Sequence, residues 1–310
     1  MLQESEPLTF MAVHAHPDDE SIGTGGTFAR YAAEGLRTVL VTCTRGEEGE
    51  IHDPALDAVT DQPRLGQIRE GELRAATSAL GIGALYLLPY RDSGMAGTPA
   101  NANVAAFVNA DAIEAADRLA AIIRAARPQV VATYDPRGGY GHPDHLMAHR
   151  ITILAVERAA QDGPVEIGKI GETAETEGDA GTTGTGTGWQ VQKLYYTAVP
   201  LSTLLWVNDR MRARGLEPPF DVEDQTFDLR QYAAPDEAIT ARVSVRGYLE
   251  QARRARRAHR TQLSDDDVLL SLPTDIAERA FGEECYIRAW TRVDAPTWED
   301  DLFAGLRPRR

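Results

Sequence analysis

The chain has 310 residues, room for one large domain or two small ones, and its 43% hydrophobic content can fill a sizeable core. A formal net charge of −15 argues against nucleic acid or an anionic membrane as partner, because phosphate backbones and anionic lipids repel an acidic surface. No apolar run reaches the roughly 18 residues of a membrane span, and the polar, acidic start lacks a basic segment followed by an apolar one, so neither a spanning helix nor a secretory signal is expected.

The first 160 or so residues alternate strand and helix signals. Residues 8–13 are a short apolar run. Residues 26–34 have helical spacing and stop at Gly35, where glycine suits the left-handed turn after a helix. Residues 38–43 are β-branched and apolar, a second buried strand. Residues 69–80 read as a helix that stops at Gly81, and 85–88 as a third strand. Residues 111–126 form a long amphipathic pattern ended by Pro128. Residues 130–134 are a fourth strand, and 142–160 return to helical spacing. Continuous apolar strands separated by helices require a parallel sheet covered on both faces. The fold class is therefore α/β: a Rossmann-like, doubly wound, mostly parallel sheet with a smaller C-terminal α+β portion.

Residues 1–162 read as the catalytic core. Residues 163–188 change character: 171–188 consist almost wholly of Gly, Thr, Glu, Ala and Asp, which cannot bury enough surface to offset the entropy of ordering, so a flexible insertion is expected. Residues 189–310 complete the sheet and the substrate pocket, with strands at 191–196 and 239–245, a helix at 201–214 and a basic helix at 248–259 whose arginines read as a solvated face. Cys43 and Cys285 lie too far apart to form a disulfide framework and sit in apolar, strand-like contexts, which fits buried thiols in a cytoplasmic protein. No internal repeat is present.

Two runs carry chemistry, and each follows a strand. The first is His14-Ala15-His16-Pro17-Asp18-Asp19-Glu20; the second is Gly138-Gly139-Tyr140-Gly141-His142-Pro143-Asp144-His145. In an open parallel sheet, sites form at the carboxyl edge of the strands, so segments about 125 residues apart can meet on one rim. His16 and Asp19 are spaced to bind one ion from one loop that Pro17 stiffens, and His145 is the candidate third ligand. Two imidazoles and a carboxylate with an open position suit zinc, with iron(II) as the alternative. Asp18, next to the ligands, is the candidate general base. Tyr140 and His142, on a loop that glycines free to turn, are donors to a tetrahedral oxyanion, and His142 can return a proton to a departing amine. Asp144 is a candidate for orienting an imidazole. His14 points away from His16 if the strand alternation persists and reads as a hydrogen-bonded structural residue. The bland alternatives are a first-turn carboxylate cluster at 18–20, which would serve the helix dipole, and a simple glycine loop at 138–141.

These two runs resemble the signature motifs of the LmbE-like, or PIG-L-type, N-acetylglucosamine deacetylases, a likeness that extends over residues 8–158 and from 189 to the end. Residues 42–50 (Thr-Cys-Thr-Arg-Gly-Glu-Glu-Gly-Glu), 91–98 (Arg-Asp-Ser-Gly-Met-Ala-Gly-Thr) and 298–306 are most similar to the branch that serves mycothiol biosynthesis by removing acetate from N-acetylglucosaminyl-inositol. The resemblance implies one divalent metal on His16, Asp19 and His145, with Asp18 as base and Tyr140 and His142 around the oxyanion and the leaving amine. It further places Arg69, Asp92 and Met95 at the sugar and inositol. His259, in Ala-His-Arg-Thr-Gln, matches a late motif of unassigned role. Against the pattern stand the Gly/Thr-rich insertion and the unusually arginine-rich helix before His259. The latter keeps open a more acidic substrate such as a malate-linked glucosaminide.

The rival readings are an amidase that cleaves the cysteinyl amide of a mycothiol conjugate, and a nucleotide- or sugar-binding module. The module is disfavoured because residues 23–26 (Gly-Thr-Gly-Gly) lack the G-x-G-x-x-G spacing. The expected partner is a small amino-sugar, with no nucleic acid and no membrane; whether copies of the chain form a homo-oligomer is left open.

Overall fold

The computed structural model describes residues 7–166, 183–220, 229 and 232–307. Its strands are β1 (Thr9–His14), β2 (Arg37–Thr42), β3 (Ala84–Leu87), β4 (Val130–Thr133), β5 (Gly163–Glu166), β6 (Thr183–Gly186), β7 (Lys193–Ala198), β8 (Ala241–Ser244) and β9 (Glu283–Thr291). Seven of them form one sheet in the order β3-β2-β1-β4-β7-β9-β8. From β3 to β7 along that order every pairing is parallel; β9 runs antiparallel to both of its neighbours. The helices are α1 (Asp19–Gly23), α2 (Gly25–Ala33), α3 (Leu65–Leu80), α4 (Ala112–Ala126), a single turn α5 (Gly138–Gly141), α6 (Pro143–Ala159), α7 (Leu201–Arg212), α8 (Leu249–Ala258), α9 (Val268–Ser271) and α10 (Thr274–Phe281).

Strand β1 explains why the sheet is central. Phe10, Met11, Ala12 and Val13 are all fully buried, and successive side chains point to opposite faces. Phe10 and Ala12 pack with Phe28 of α2, Leu73 of α3 and Ala255 of α8. Met11 and Val13 pack with Leu119 and Ile122 of α4 and Ile151 of α6. Two cores, one per face, make the α/β architecture read from the sequence, and burying each large apolar side chain contributes about 1.5–3 kcal/mol. Helix α4 starts where Asp111 accepts the backbone N–H groups of Ile113 and Glu114 at 2.8 and 3.1 Å, and it ends at Arg127, in the left-handed region at φ 52°.

Several elements differ from the sequence reading. The helix expected over residues 26–34 is α2, and it is preceded by a short helix, α1, that the sequence reading did not separate; the two break at Thr24, whose hydroxyl hydrogen bonds to His14 Nε2 at 2.9 Å. The glycine run there serves close packing: a Cβ on Gly26 would lie 2.6 Å from Val245 Cβ. Helix α8 is not solvated all round, since Arg256 is buried with its guanidinium 4.5 Å from the Phe281 ring centroid. The long edge-side strand β9 carries Cys285 and joins β7 to β8. The ends of the 163–188 segment pair as an antiparallel ribbon, β5 with β6, while residues 167–182, on which the expectation of flexibility mostly falls, lie outside the described residues. Both cysteines are free and buried. Among the described residues no helix is long and apolar enough to cross a membrane.

Candidate active site

The chain runs outward from β1 through β2 to β3, then returns to place β4 on the other side of β1. Strands β1 and β4 are therefore the point where the winding reverses, and a crevice opens beyond their carboxyl ends. The first chemical run leaves β1 into α1, and the second leaves β4 through α5 into α6, so both descend into that crevice.

The second run is held by its own backbone. His142 caps α6: its Nδ1 accepts the Asp144 backbone N–H at 3.1 Å, which leaves the ring proton on Nε2. Gly138 sits at φ 67°, and a Cβ there would lie 2.9 Å from the Leu146 nitrogen, so only glycine permits the approach. That approach brings the Gly138 carbonyl to His145 Nδ1 at 3.1 Å, which fixes the proton on Nδ1 and leaves a lone pair on Nε2. His145 Nε2 is buried with no hydrogen-bond partner and lies 3.5 Å from Asp19 Oδ1.

The first run mirrors this arrangement. His16 Nε2 faces Asp144 Oδ2 at 3.2 Å and Asp92 Oδ1 at 3.5 Å, while its Nδ1 lies 3.5 Å from Asp19 Oδ2. Asp144 is in turn fastened by Ser93, whose backbone N–H donates to Oδ2 at 2.9 Å and whose hydroxyl donates to Oδ1. Asp19 Oδ2 accepts the His16 N–H at 2.8 Å and the Tyr134 hydroxyl at 2.7 Å. Each imidazole thus has one nitrogen tied to a protein acceptor and the other turned toward Asp19, which is how metal-binding histidines are usually prepared. Ring nitrogens of His16, His142 and His145 all lie within 4.8 Å of one another, as do ligand atoms of His16, Asp92 and Asp144. Ligands of one tetrahedral ion sit about 3.4 Å apart for bonds near 2.1 Å; His16 Nδ1 and His145 Nε2 each lie 3.5 Å from Asp19, but from its different oxygens, Oδ2 and Oδ1, and among the described residues it is His142, not Asp19, that completes a close group with these two histidines.

Burial and the neighbouring carboxylates leave the two imidazoles in opposite states. Burial pushes the His145 imidazole down to about 3, against the pull of Asp19, so it is neutral and able to ligate. Burial also works against a charge on His16, but Asp92, Asp144 and Asp19 together raise it well above the usual histidine value. Burial opposes ionisation of Asp19, yet His145 and His16 hold it well below the carboxylate range. A buried cluster of carboxylates of this kind calls for a cation. Burial lifts Asp18 to about 6, with Asp19 adding to the shift and Arg69 opposing it.

Asp18 stands at φ 120°, a region that side-chain-bearing residues rarely occupy. Arg69, expected at the sugar, is 3% exposed and turned onto the protein: it donates to Gly46 O at 2.7 Å, Pro17 O at 2.6 Å and Asp18 Oδ2 at 3.1 Å. Asp92 is likewise buried and accepts the backbone N–H groups of Gly94 and Glu48 at 2.8 and 3.2 Å, whereas Met95 is half exposed at the rim. Tyr140 is 39% exposed, lies edge-on to His145 at 4.9 Å between centroids and stacks on Tyr232 at 5.8 Å. His14 stays structural in its contacts, bound to Thr24 and, at 3.3 Å, to the Tyr134 hydroxyl. A cavity of about 990 Å³ opens from Asp19, His145 and Tyr140 toward Trp206, Phe220 and Tyr232.

Sequence reasoning missed Tyr134 and Ser93. Tyr134 stacks on His145 at 4.0 Å and binds Asp19 and the Ala15 N–H, the latter at 2.7 Å. Its place at the very end of the fourth apolar run was the available signal. Ser93 stands in the 91–98 run that carries the resemblance, but its partner Asp144 lies 51 positions away, so no local pattern pairs the two.

A family model described as PIG-L, GlcNAc-PI de-N-acetylase, matches residues 11–156, which include both runs. The chain is 44% identical to a 1D-myo-inositol 2-acetamido-2-deoxy-alpha-D-glucopyranoside deacetylase from Geodermatophilus obscurus, over 96% of this chain and 97% of that one. The chain belongs to the PIG-L family. A relative of the same name from Acidothermus cellulolyticus is 43% identical over 96% of this chain and 95% of its own. In fold, the family member resembles N,N'-diacetylchitobiose deacetylase from Pyrococcus horikoshii, with a TM-score of 0.51 at 20% identity, over 91% of this chain and 84% of that one.

Proposed function

We propose that this PIG-L enzyme is a metal-dependent hydrolase that removes the acetyl group from 1D-myo-inositol 2-acetamido-2-deoxy-alpha-D-glucopyranoside, as its relatives are named to do, in the cytoplasm. The observation that carries the chemistry is the pair of imidazoles, His16 and His145, each pinned at one nitrogen and turned by the other toward Asp19. His16, the Asp19 carboxylate and His145 would hold one divalent ion, zinc or iron(II), with His142 beside them. When bound, that ion polarises the acetamide carbonyl and acidifies the attacking water.

The protein's own groups do the rest. Arg69 holds Asp18 Oδ2, and the remaining carboxylate oxygen accepts a proton from the attacking water. Tyr140 Oη–H and His142 Nε2–H donate to the acetamide oxygen as it gains charge. The proton that Asp18 took from the water passes to the departing amine as the C–N bond breaks, and acetate leaves; His142, which the sequence offered for that transfer, keeps its one ring proton on Nε2 because Nδ1 accepts the Asp144 N–H. Asp144 orients His16; Asp92 and Met95 are the residues that the resemblance gives to the sugar and inositol, Asp92 buried against His16 and Met95 half exposed. In this reading Arg69 serves the sugar, as the resemblance implies, while also holding Asp18; its Nε has no hydrogen-bond partner among the described residues.

Turnover of the inositol glucosaminide, followed as loss of one acetyl group by mass spectrometry, tests the reading. Asp18→Ala should bind metal stoichiometrically and lose a factor of about 10² or more in turnover. Undiminished turnover in that variant, or none in the wild type with zinc or iron(II) supplied, would overturn it.

A further inference from the structure

His259 matches a motif whose role the sequence leaves open, and the structure connects it to Asp18 by two bonds. Asp18 holds its unusual backbone angle while its N–H donates to Glu20 Oε2 at 3.0 Å. The other oxygen, Glu20 Oε1, accepts His259 Nε2 at 2.6 Å, and both side chains are fully buried. His259 lies just past α8, about 240 residues from Asp18. The segment that carries it is clamped two residues on, where Glu72 accepts the Thr261 N–H and hydroxyl at 2.8 and 2.6 Å and Thr261 O accepts the His52 N–H at 2.8 Å. On the far side of Asp18, Arg69 grips Pro17 O and the Asp18 carboxylate.

We propose that His259 is a positioning residue: through Glu20 it fixes the Asp18 peptide in its left-handed conformation and so aims the carboxylate into the site. This rests on Asp18 being the base. The physical argument is one of acceptors. A carboxylate at position 20 has two oxygens for two buried N–H donors, one from each end of the chain. If His259 is lost, Glu20 is released to turn away from the Asp18 N–H, and the strained angle loses its restraint. A shift of about 1 Å in a reacting group costs up to about 10²-fold in rate.

The test compares His259→Leu, His259→Gln and Glu20→Gln. His259→Leu should lower kcat about tenfold or more with KM changed less than about threefold, and with metal content unchanged. His259→Gln, whose amide N–H can still reach Glu20, should recover kcat to within about threefold of wild type. Glu20→Gln keeps the volume but offers one acceptor to two donors, so it should behave like His259→Leu; it also carries the test if the leucine variant fails to fold. In an Asp18→Asn background, His259→Leu should lower the residual rate no further, because a residue acting through Asp18 has nothing left to aim. Wild-type kcat in folded, metal-loaded His259→Leu or Glu20→Gln, or a full additional loss in the Asp18→Asn background, would make His259 a merely structural residue. An Asp18→Asn enzyme that keeps wild-type turnover would instead sink the assignment of Asp18 itself.

Discussion

Tyr134→Phe isolates the contribution of a single oxygen to the candidate metal site. The Tyr134 hydroxyl donates to Asp19 Oδ2 at 2.7 Å and accepts the Ala15 N–H at 2.7 Å, and the ring is 6% exposed. Phenylalanine keeps the ring and its 4.0 Å stacking on His145. What disappears, besides the longer 3.3 Å contact with His14 Nδ1, is a charge-assisted bond, worth about 1.5–3 kcal/mol, and the acceptor for a buried backbone N–H, whose orphaning costs about 1–3 kcal/mol. The two losses share one atom and relax together, so the expected destabilisation is about 2–4 kcal/mol rather than their sum. Because Asp19 is then held only by the His16 N–H on that oxygen, its aim loosens, and metal affinity should fall about 10–100-fold, the usual result of deleting a partner that orients a ligand. Urea unfolding of the metal-free protein gives the first quantity, and competition against a chromophoric chelator gives the second. Metal affinity within about twofold of wild type, in a variant that has lost the expected stability, would show that Asp19 does not depend on Tyr134 and would refute the reasoning.

Gly138→Ala forces a Cβ to within 2.9 Å of the Leu146 nitrogen and 3.0 Å of His145 Cβ at a positive φ, so His145 should be displaced and zinc retention lost, as metal analysis after dialysis would report. Lys193→Met removes one partner of the buried Lys193–Glu299 pair; Arg288 at 3.1 Å and Tyr195 at 2.5 Å remain on Glu299, so the loss in urea unfolding should sit near the low end of about 3–5 kcal/mol. Burial works against the charge on Glu70, but Arg74 and Arg45, at 2.7 and 2.8 Å, hold its carboxyl below the ordinary glutamate value. A depressed folded value means the stabilisation is present above the unfolded value near 4.5 and is lost as pH falls through the folded one. Glu70→Gln should therefore cost about 0.2–1 kcal/mol at pH near 7 and nothing near pH 2, and an equal cost at both would contradict the sign.

The sequence by itself determined the parallel core and which ligand-type residues gather at its carboxyl edge. Continuous apolar runs at residues 8–13, 38–43, 85–88 and 130–134 can be satisfied only by strands covered on both faces, and the structure covers them so. His16, Asp19 and His145 were legible because ligand-type side chains crowd together right after such strands. The tertiary structure alone decided which nitrogen each imidazole offers. That choice depends on the Gly138 carbonyl and on Asp144, and Asp144 is itself held by Ser93 from a separate loop. The same holds for the contact of Arg69 with Asp18, and for His259, which meets Glu20 across most of the chain. The physical reason is that local patterns encode periodicity and burial, whereas a hydrogen bond between distant segments exists only once the sheet order has brought them together; β8 and β9, folded back against β7, are the clearest case, because no local signal says which edge a strand will join.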